Sequence, residues 1–99
     1  MTRRVVWSKK ALKDFEAQIA YVGRDDKRSA ALVANRLEAA VNALRKAASG
    51  RFGRVAGTYE KSVQKTSFII AFELTETEIR ILRVIHSARD WKQGQWPDA

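Results

Sequence analysis

The spacing of apolar residues changes once along this chain, near Gly50, and that change limits what it can fold into. Before it, Leu12, Phe15, Ile19 and Val22 recur every three or four positions, as do Val33, Leu37, Val41 and Leu44. Such spacing lines up apolar side chains on one face of a helix. After it, Phe68, Ile70, Phe72 and Leu74 alternate with Ile69, Ala71 and Glu73, the period of an extended strand. Ile79, Ile81 and Ile85 alternate with Arg80, Leu82, Val84 and His86. Both sets contain apolar residues, which predicts a strand inside its sheet.

Local signals place the boundaries. Val5-Val6-Trp7 is a short strand-like run, and Ser8 after it can cap a helix by accepting from an orphan N–H. The first helix is expected over 9–23. Asp25 and Asp26 offer the next cap, and Ser49-Gly50 the stop, with Arg45 and Lys46 suited to the last turn. Ala30, Ala34, Ala40 and Ala48 permit close helix approach, and the short link between the two helices predicts an antiparallel hairpin. From Arg51 a basic loop punctuated by Gly53 and Gly57 leads into Thr58–Val63, and Thr75-Glu76-Thr77 is a polar turn. The expected fold is α+β: a short N-terminal strand, the helix hairpin, then three antiparallel strands (β-α-α-β-β-β), with the helices on one sheet face.

At 99 residues, one domain spanning 1–99 is expected. Cysteine is absent, which removes disulfides and thiolate chemistry. The N-terminal Arg3-Arg4 precedes only three apolar residues, too few for a signal peptide, so a cytoplasmic protein with no membrane association is expected. The single His and absent Cys support no metal site, and no nucleotide or hydrolase motif points to a cofactor. The formal net charge of +8 suits a polyanion or an acidic protein partner.

Residues that could carry function gather in two basic stretches. Arg80, Arg83, His86, Arg89 and Lys92, interleaved with Trp91 and Trp96, form one; Arg51, Arg54, Lys61 and Lys65 form the other. Arginine binds phosphate or carboxylate bidentately, aromatic faces stack bases, and a His near neutrality moves a proton. A solvated strand face with Trp91 as a lid over the sheet accounts for the first stretch equally well.

Three segments then resemble one family. Val5-Val6-Trp7-Ser8-Lys9-Lys10-Ala11-Leu12-Lys13-Asp14-Phe15 looks like the opening of RelE/ParE-type toxins. Gly53-Arg54-Val55-Ala56-Gly57-Thr58 is similar to the Gly-Arg-x-x-Gly-Thr loop of the ParE branch, and Arg83–Trp91 to its Arg-Val-Leu-His-Gly-Ala-Arg-Asp ending. The resemblance implies the same fold, a cognate ParD-like antitoxin in a hetero-oligomer, and, in the ParE branch, inhibition of DNA gyrase without catalysis. The RelE branch would imply ribosome-dependent mRNA cleavage, with His86, Arg89 and Arg83 as the candidate catalytic groups. RelE-type ribonucleases carry basic residues at positions corresponding here to Glu60, Ser62 and Ile69, none of which can stabilise a phosphorane-like transition state as Lys and Arg do. A basic binding domain with no toxic role is the third reading. The target- or antitoxin-binding set implied by the ParE resemblance is Arg51, Arg54, Tyr59, Lys61, Arg80, Arg83, His86, Arg89 and Trp91. The chain departs from the ParE pattern at Tyr59, where Arg is common, at Ala56, a frequent Pro, and at Gln64-Lys65, a frequent Pro-Gly turn. Arg83 and His86, three apart on one strand, should face opposite ways, and a bend or strand end near Ile85 is expected to bring His86, Arg89 and Trp91 to one edge.

Overall fold

The computed structural model describes residues 2–87. The order is β1 (Arg4–Trp7), α1 (Lys9–Gly23), α2 (Lys27–Lys46), β2 (Arg51–Phe52), β3 (Tyr59–Ser62), β4 (Phe68–Leu74) and β5 (Glu78–His86). Both helices begin where their caps predict. The Ser8 hydroxyl accepts from the Ala11 N–H at 3.0 Å, and the Asp26 carboxylate accepts from the Arg28 N–H at 2.9 Å and the Ser29 hydroxyl at 2.7 Å. These bonds hold the exposed Asp26 carboxyl below its ordinary range. α2 carries Arg45 and Lys46 in its last turn but stops at Lys46, ahead of Ser49-Gly50, because Ala47 is already extended.

The strands form one mixed sheet in the order β1-β5-β4-β3-β2. β2–β3, β3–β4 and β4–β5 are antiparallel; β1 lies parallel to β5. β5 is an interior strand, as its two-sided apolar pattern requires. After the hairpin come four strands where the sequence predicted three. The extra one, β2, is two residues long, too short for periodicity to register. Two glycines make it possible. Gly53 donates to the Thr58 carbonyl at 2.8 Å, and a Cβ on Gly53 would sit 2.3 Å from the Thr58 hydroxyl. Gly57 has φ 82°, a left-handed turn position that costs glycine nothing. The loop therefore folds back tightly enough to pair Arg51 with Glu60 and Phe52 with Tyr59. In the β3–β4 turn, Lys65 takes φ 60° where the family's frequent glycine would be relaxed.

One sheet face carries Phe68, Ile70 and Phe72 of β4 and Ile79, Ile81 and Val84 of β5, and packs on Ala11, Leu37, Val41 and Leu44 of the helices. Trp7 and Phe15 meet edge to face at 5.7 Å beside this core. Leu12, expected in the α1 stripe, is 46% exposed: the buried line runs through Ala11, Phe15 and Ile19, one position round the helix.

Ile81 and Val84 reach the same face only because β5 is irregular. Phe72 pairs with Ile81 and Ala71 with Arg83, so Leu82 has no partner in β4. This bulge shifts the side-chain alternation by one. The strand end expected near Ile85 falls at His86, one residue on; the bulge at Leu82, three residues before Ile85, is an additional irregularity, and pairing is regular between the two.

Leu37 is fully buried at the centre of this core. Leu37→Ala should cost about 2–5 kcal/mol as a truncation that leaves a cavity. Denaturant melts check this, and a loss under about 0.5 kcal/mol would contradict the α2 face assigned here.

Candidate functional site

The basic residues do not form one surface. Internal carboxylates divide them into groups, each held differently.

The first group surrounds Glu60, whose side chain is 2% exposed. β3 turns Glu60 away from the helices, toward the loop containing Gly53 and Gly57. Arg54 donates to it from Nε at 2.9 Å, from the guanidinium Nη2 at 3.0 Å and from its own backbone N–H at 2.9 Å. Arg51 adds a longer contact at 3.4 Å and donates to the Ser62 hydroxyl at 3.3 Å. Burial pushes the Glu60 carboxyl up, but the Arg54 hydrogen bonds and the two guanidinium charges outweigh it and hold the group below the ordinary 4.5. Arg51 and Arg54, expected to meet a partner, are thus engaged in shaping the loop. Tyr59 is engaged as well: its ring lies between Phe52 at 5.8 Å and Phe72 at 5.7 Å. Phe52, 86% exposed, is the outermost ring of that stack, and no sequence pattern singled it out.

The second group joins α1 to β5. β1 ends opposite Ile81, so among the described residues no strand lies beside the outer edge of β5 beyond the bulge. Side chains from the start of α1 replace one. The Ser8 hydroxyl donates to the Leu82 carbonyl at 3.0 Å, and Asp14 accepts from the Val84 N–H at 3.0 Å. Asp14 also receives Arg83 through Nε at 2.7 Å and Nη2 at 3.0 Å. The Arg83 side chain is only 13% exposed, so it is not part of a solvated strand face. Asp14 is a residue that sequence reasoning missed, although a partly buried Arg on β5 demanded a carboxylate from somewhere.

His86 projects to the face opposite Arg83 and packs edge-on against Phe68 at 5.3 Å. The structure therefore does not bring these two ribonuclease candidates together. Arg89 and Trp91, with Lys92 and Trp96, lie outside the described residues.

Arg80 sits at the other end of β5 in a surface ladder, donating to Glu78 at 3.2 Å and Glu73 at 3.3 Å, while Arg4 pairs with Glu78 from β1. Hydrogen bonds from Arg4 and Arg80 keep the Glu78 carboxyl below its ordinary value. Lys61 stands apart: its ammonium donates to the Ser49 hydroxyl at 2.7 Å, beside α2. Among the described residues no group of three or more His, Asp or Glu is placed to hold a metal, and no helix is long and apolar enough to cross a membrane.

The ion pairs have measurable consequences. Because the folded pKa of Glu60 is depressed, its stabilisation is present above about pH 4.5 and is lost as the pH falls through the folded value. Glu60→Gln should cost about 1–3 kcal/mol at neutral pH. The gap between its stability curve and the wild-type curve should narrow as the pH falls below about 4.5, and a gap that stays constant through the acid range would contradict this. Asp14→Ala, which removes the carboxylate from Arg83 and the Val84 N–H, should cost about 2–4 kcal/mol. In a double-mutant cycle, adding Arg83→Leu should then cost less than Arg83→Leu alone; additive losses would show the pair to be uncoupled.

Known proteins match this arrangement along nearly its whole length. The family model "ParE toxin of type II toxin-antitoxin system, parDE" covers residues 5–91. The chain is 35% identical over 92 residues to "Putative toxin Y4kP" of Sinorhizobium fredii, spanning 92% of this chain and 95% of that protein. It is similar in structure to the "Chromosomal ParDE TA system from P. aeruginosa", with a TM-score of 0.77 at 25% identity over 86% of this chain and 96% of that one. It shares its fold with the "E. coli DinJ-YafQ toxin-antitoxin complex", at a TM-score of 0.57 and 18% identity, over 89% of this chain and 96% of that one. With the Gly-Arg-x-x-Gly-Thr loop closed on Glu60 and the helix hairpin docked on β5, the chain belongs to the ParE toxins of type II toxin–antitoxin systems.

Proposed function

We propose that this toxin acts in the cytoplasm by binding DNA gyrase, performs no catalysis of its own, and is neutralised by a ParD-like antitoxin in a hetero-oligomer. The observation that carries this reading is Glu60. A ribonuclease of the RelE type would present a cation at this place on β3; here an acid is buried and closed by Arg54 and Arg51. Ile69, at the third corresponding position, is also buried. Neither can stabilise negative charge developing on a phosphate. The likeness to a ParDE system supports both the branch and the partner. His86, packed on Phe68 and facing away from Arg83, then serves as a contact residue at the strand end. Arg89 supplies a contact to the target.

Two assays test this. Purified protein is incubated with gyrase and plasmid, and in parallel with translating ribosomes and mRNA; gyrase inhibition with intact mRNA is expected, and the converse would establish the RelE-like endoribonuclease. Growth after induction is then compared for two variants at matched expression. His86→Gln should largely retain toxicity and Arg89→Glu should lose it. A general acid or base would be worth on the order of 10²–10⁴ in rate, so a folded His86→Gln protein without toxicity would overturn the non-catalytic reading.

A further inference from the structure

Between α2 and β3 lies a cleft of about 360 Å³. Its floor is the methyl groups of Ala39, Ala40 and Ala43 on α2, and its walls include Arg36 of α2 and Lys61 and Ser62 of β3. The two cations differ from five other arginines in one respect. Arg4, Arg51, Arg54, Arg80 and Arg83 each hold a carboxylate. Arg36 donates to the Lys65 carbonyl at 3.1 Å and Lys61 to the Ser49 hydroxyl at 2.7 Å, both neutral acceptors. Among the described residues that line the cleft, none is acidic. Two positive charges therefore flank a small-residue apolar floor, in a fold that otherwise pairs its strand arginines closely.

A neutral hydrogen bond is readily exchanged for a stronger charge-assisted one. The floor admits close approach of another backbone. We infer that this cleft seats a protein segment bearing small or aliphatic side chains on the side that meets Ala39, Ala40 and Ala43, and carboxylates that reach Arg36 and Lys61. This rests on the antitoxin reading above and names where on the toxin that partner's acidic segment docks. Nucleic acid suits the cleft less well, because none of its described lining residues is an aromatic ring that could stack a base and its floor offers phosphate nothing.

The probe is the product of the adjacent gene, titrated against the full chain at low and high salt. Arg36→Glu with Lys61→Glu should weaken binding at least about tenfold and flatten the salt dependence. Lys9→Glu with Lys13→Glu, an equal change of net charge on the exposed start of α1, should leave affinity within about twofold. Ala43→Phe, which fills the cleft at an exposed helix position without altering charge, should weaken binding at both salt concentrations; circular dichroism confirms that each variant is folded. Wild-type binding that none of the cleft variants alters would overturn the cleft assignment and leave the antitoxin reading intact. Failure of the wild type to bind this probe would remove the antitoxin reading and the cleft with it. Oligonucleotide binding that is lost on charge reversal, with protein binding unchanged, would reassign the cleft to nucleic acid.

Discussion

The Asp14 carboxylate accepts from the Arg83 guanidinium and from the Val84 N–H, and most of the architecture turns on that junction. β5 must place Ile79, Ile81 and Val84 against the helices, which a regular strand cannot do, since Ile81 and Val84 are three apart. The bulge at Leu82 resolves the parity but leaves backbone groups at an edge that β1 has ceased to cover. Those groups would be costly if left without partners. Ser8 and Asp14, at the start of α1, meet them and fix the helix hairpin against the sheet. Ser8 serves both elements at once, because its hydroxyl accepts from the first turn of α1 while donating to the bulge.

The far side of the sheet repeats the same solution with a different acid. Glu60 is buried on β3 with no way to be solvated, and the loop before it is shaped to supply donors, two from the Arg54 guanidinium and one from the Arg54 backbone. Gly53 and Gly57 allow the chain to come close enough for that. In both places an arginine that reads in the sequence as a binding residue holds a carboxylate of the same chain. The net charge of +8 is consequently not spread evenly over the surface. Five of the strand and loop arginines are compensated internally, whereas the rim of the α2–β3 cleft holds its two cations on neutral acceptors.

For a toxin of this family, that distribution separates two kinds of surface. A ribonuclease needs cations poised at a phosphate, with no internal carboxylate competing for them. A protein-binding poison needs a rigid surface with local anchors, and its cations can be committed to holding that surface in shape. In the Glu60 cluster and the Asp14 junction the cations are committed to carboxylates, and the Phe52–Tyr59–Phe72 stack adds a row of packed rings.

Periodicity and capping by themselves determined the two helices, their caps at Ser8 and Asp26, the hairpin, and β4 and β5 as adjoining strands, because each depends on residues close together in the chain. The family was legible for the same reason: its motifs are short and contiguous. What only the tertiary structure decided involves distant pairs. β1 lies parallel to β5, whose paired residues follow it by 74 positions in the bond from Arg4 to Glu78, and no local pattern encodes which edge it joins. β2 is too short to carry a period. The bulge at Leu82 arises because two faces compete for one strand, which the sequence signals as a conflict without locating its resolution. Arg51, Arg54 and Arg83 read as candidate contacts because charge is visible in a sequence and neutralisation is not: Asp14 is 69 residues from Arg83, and only the folded chain brings its carboxylate there.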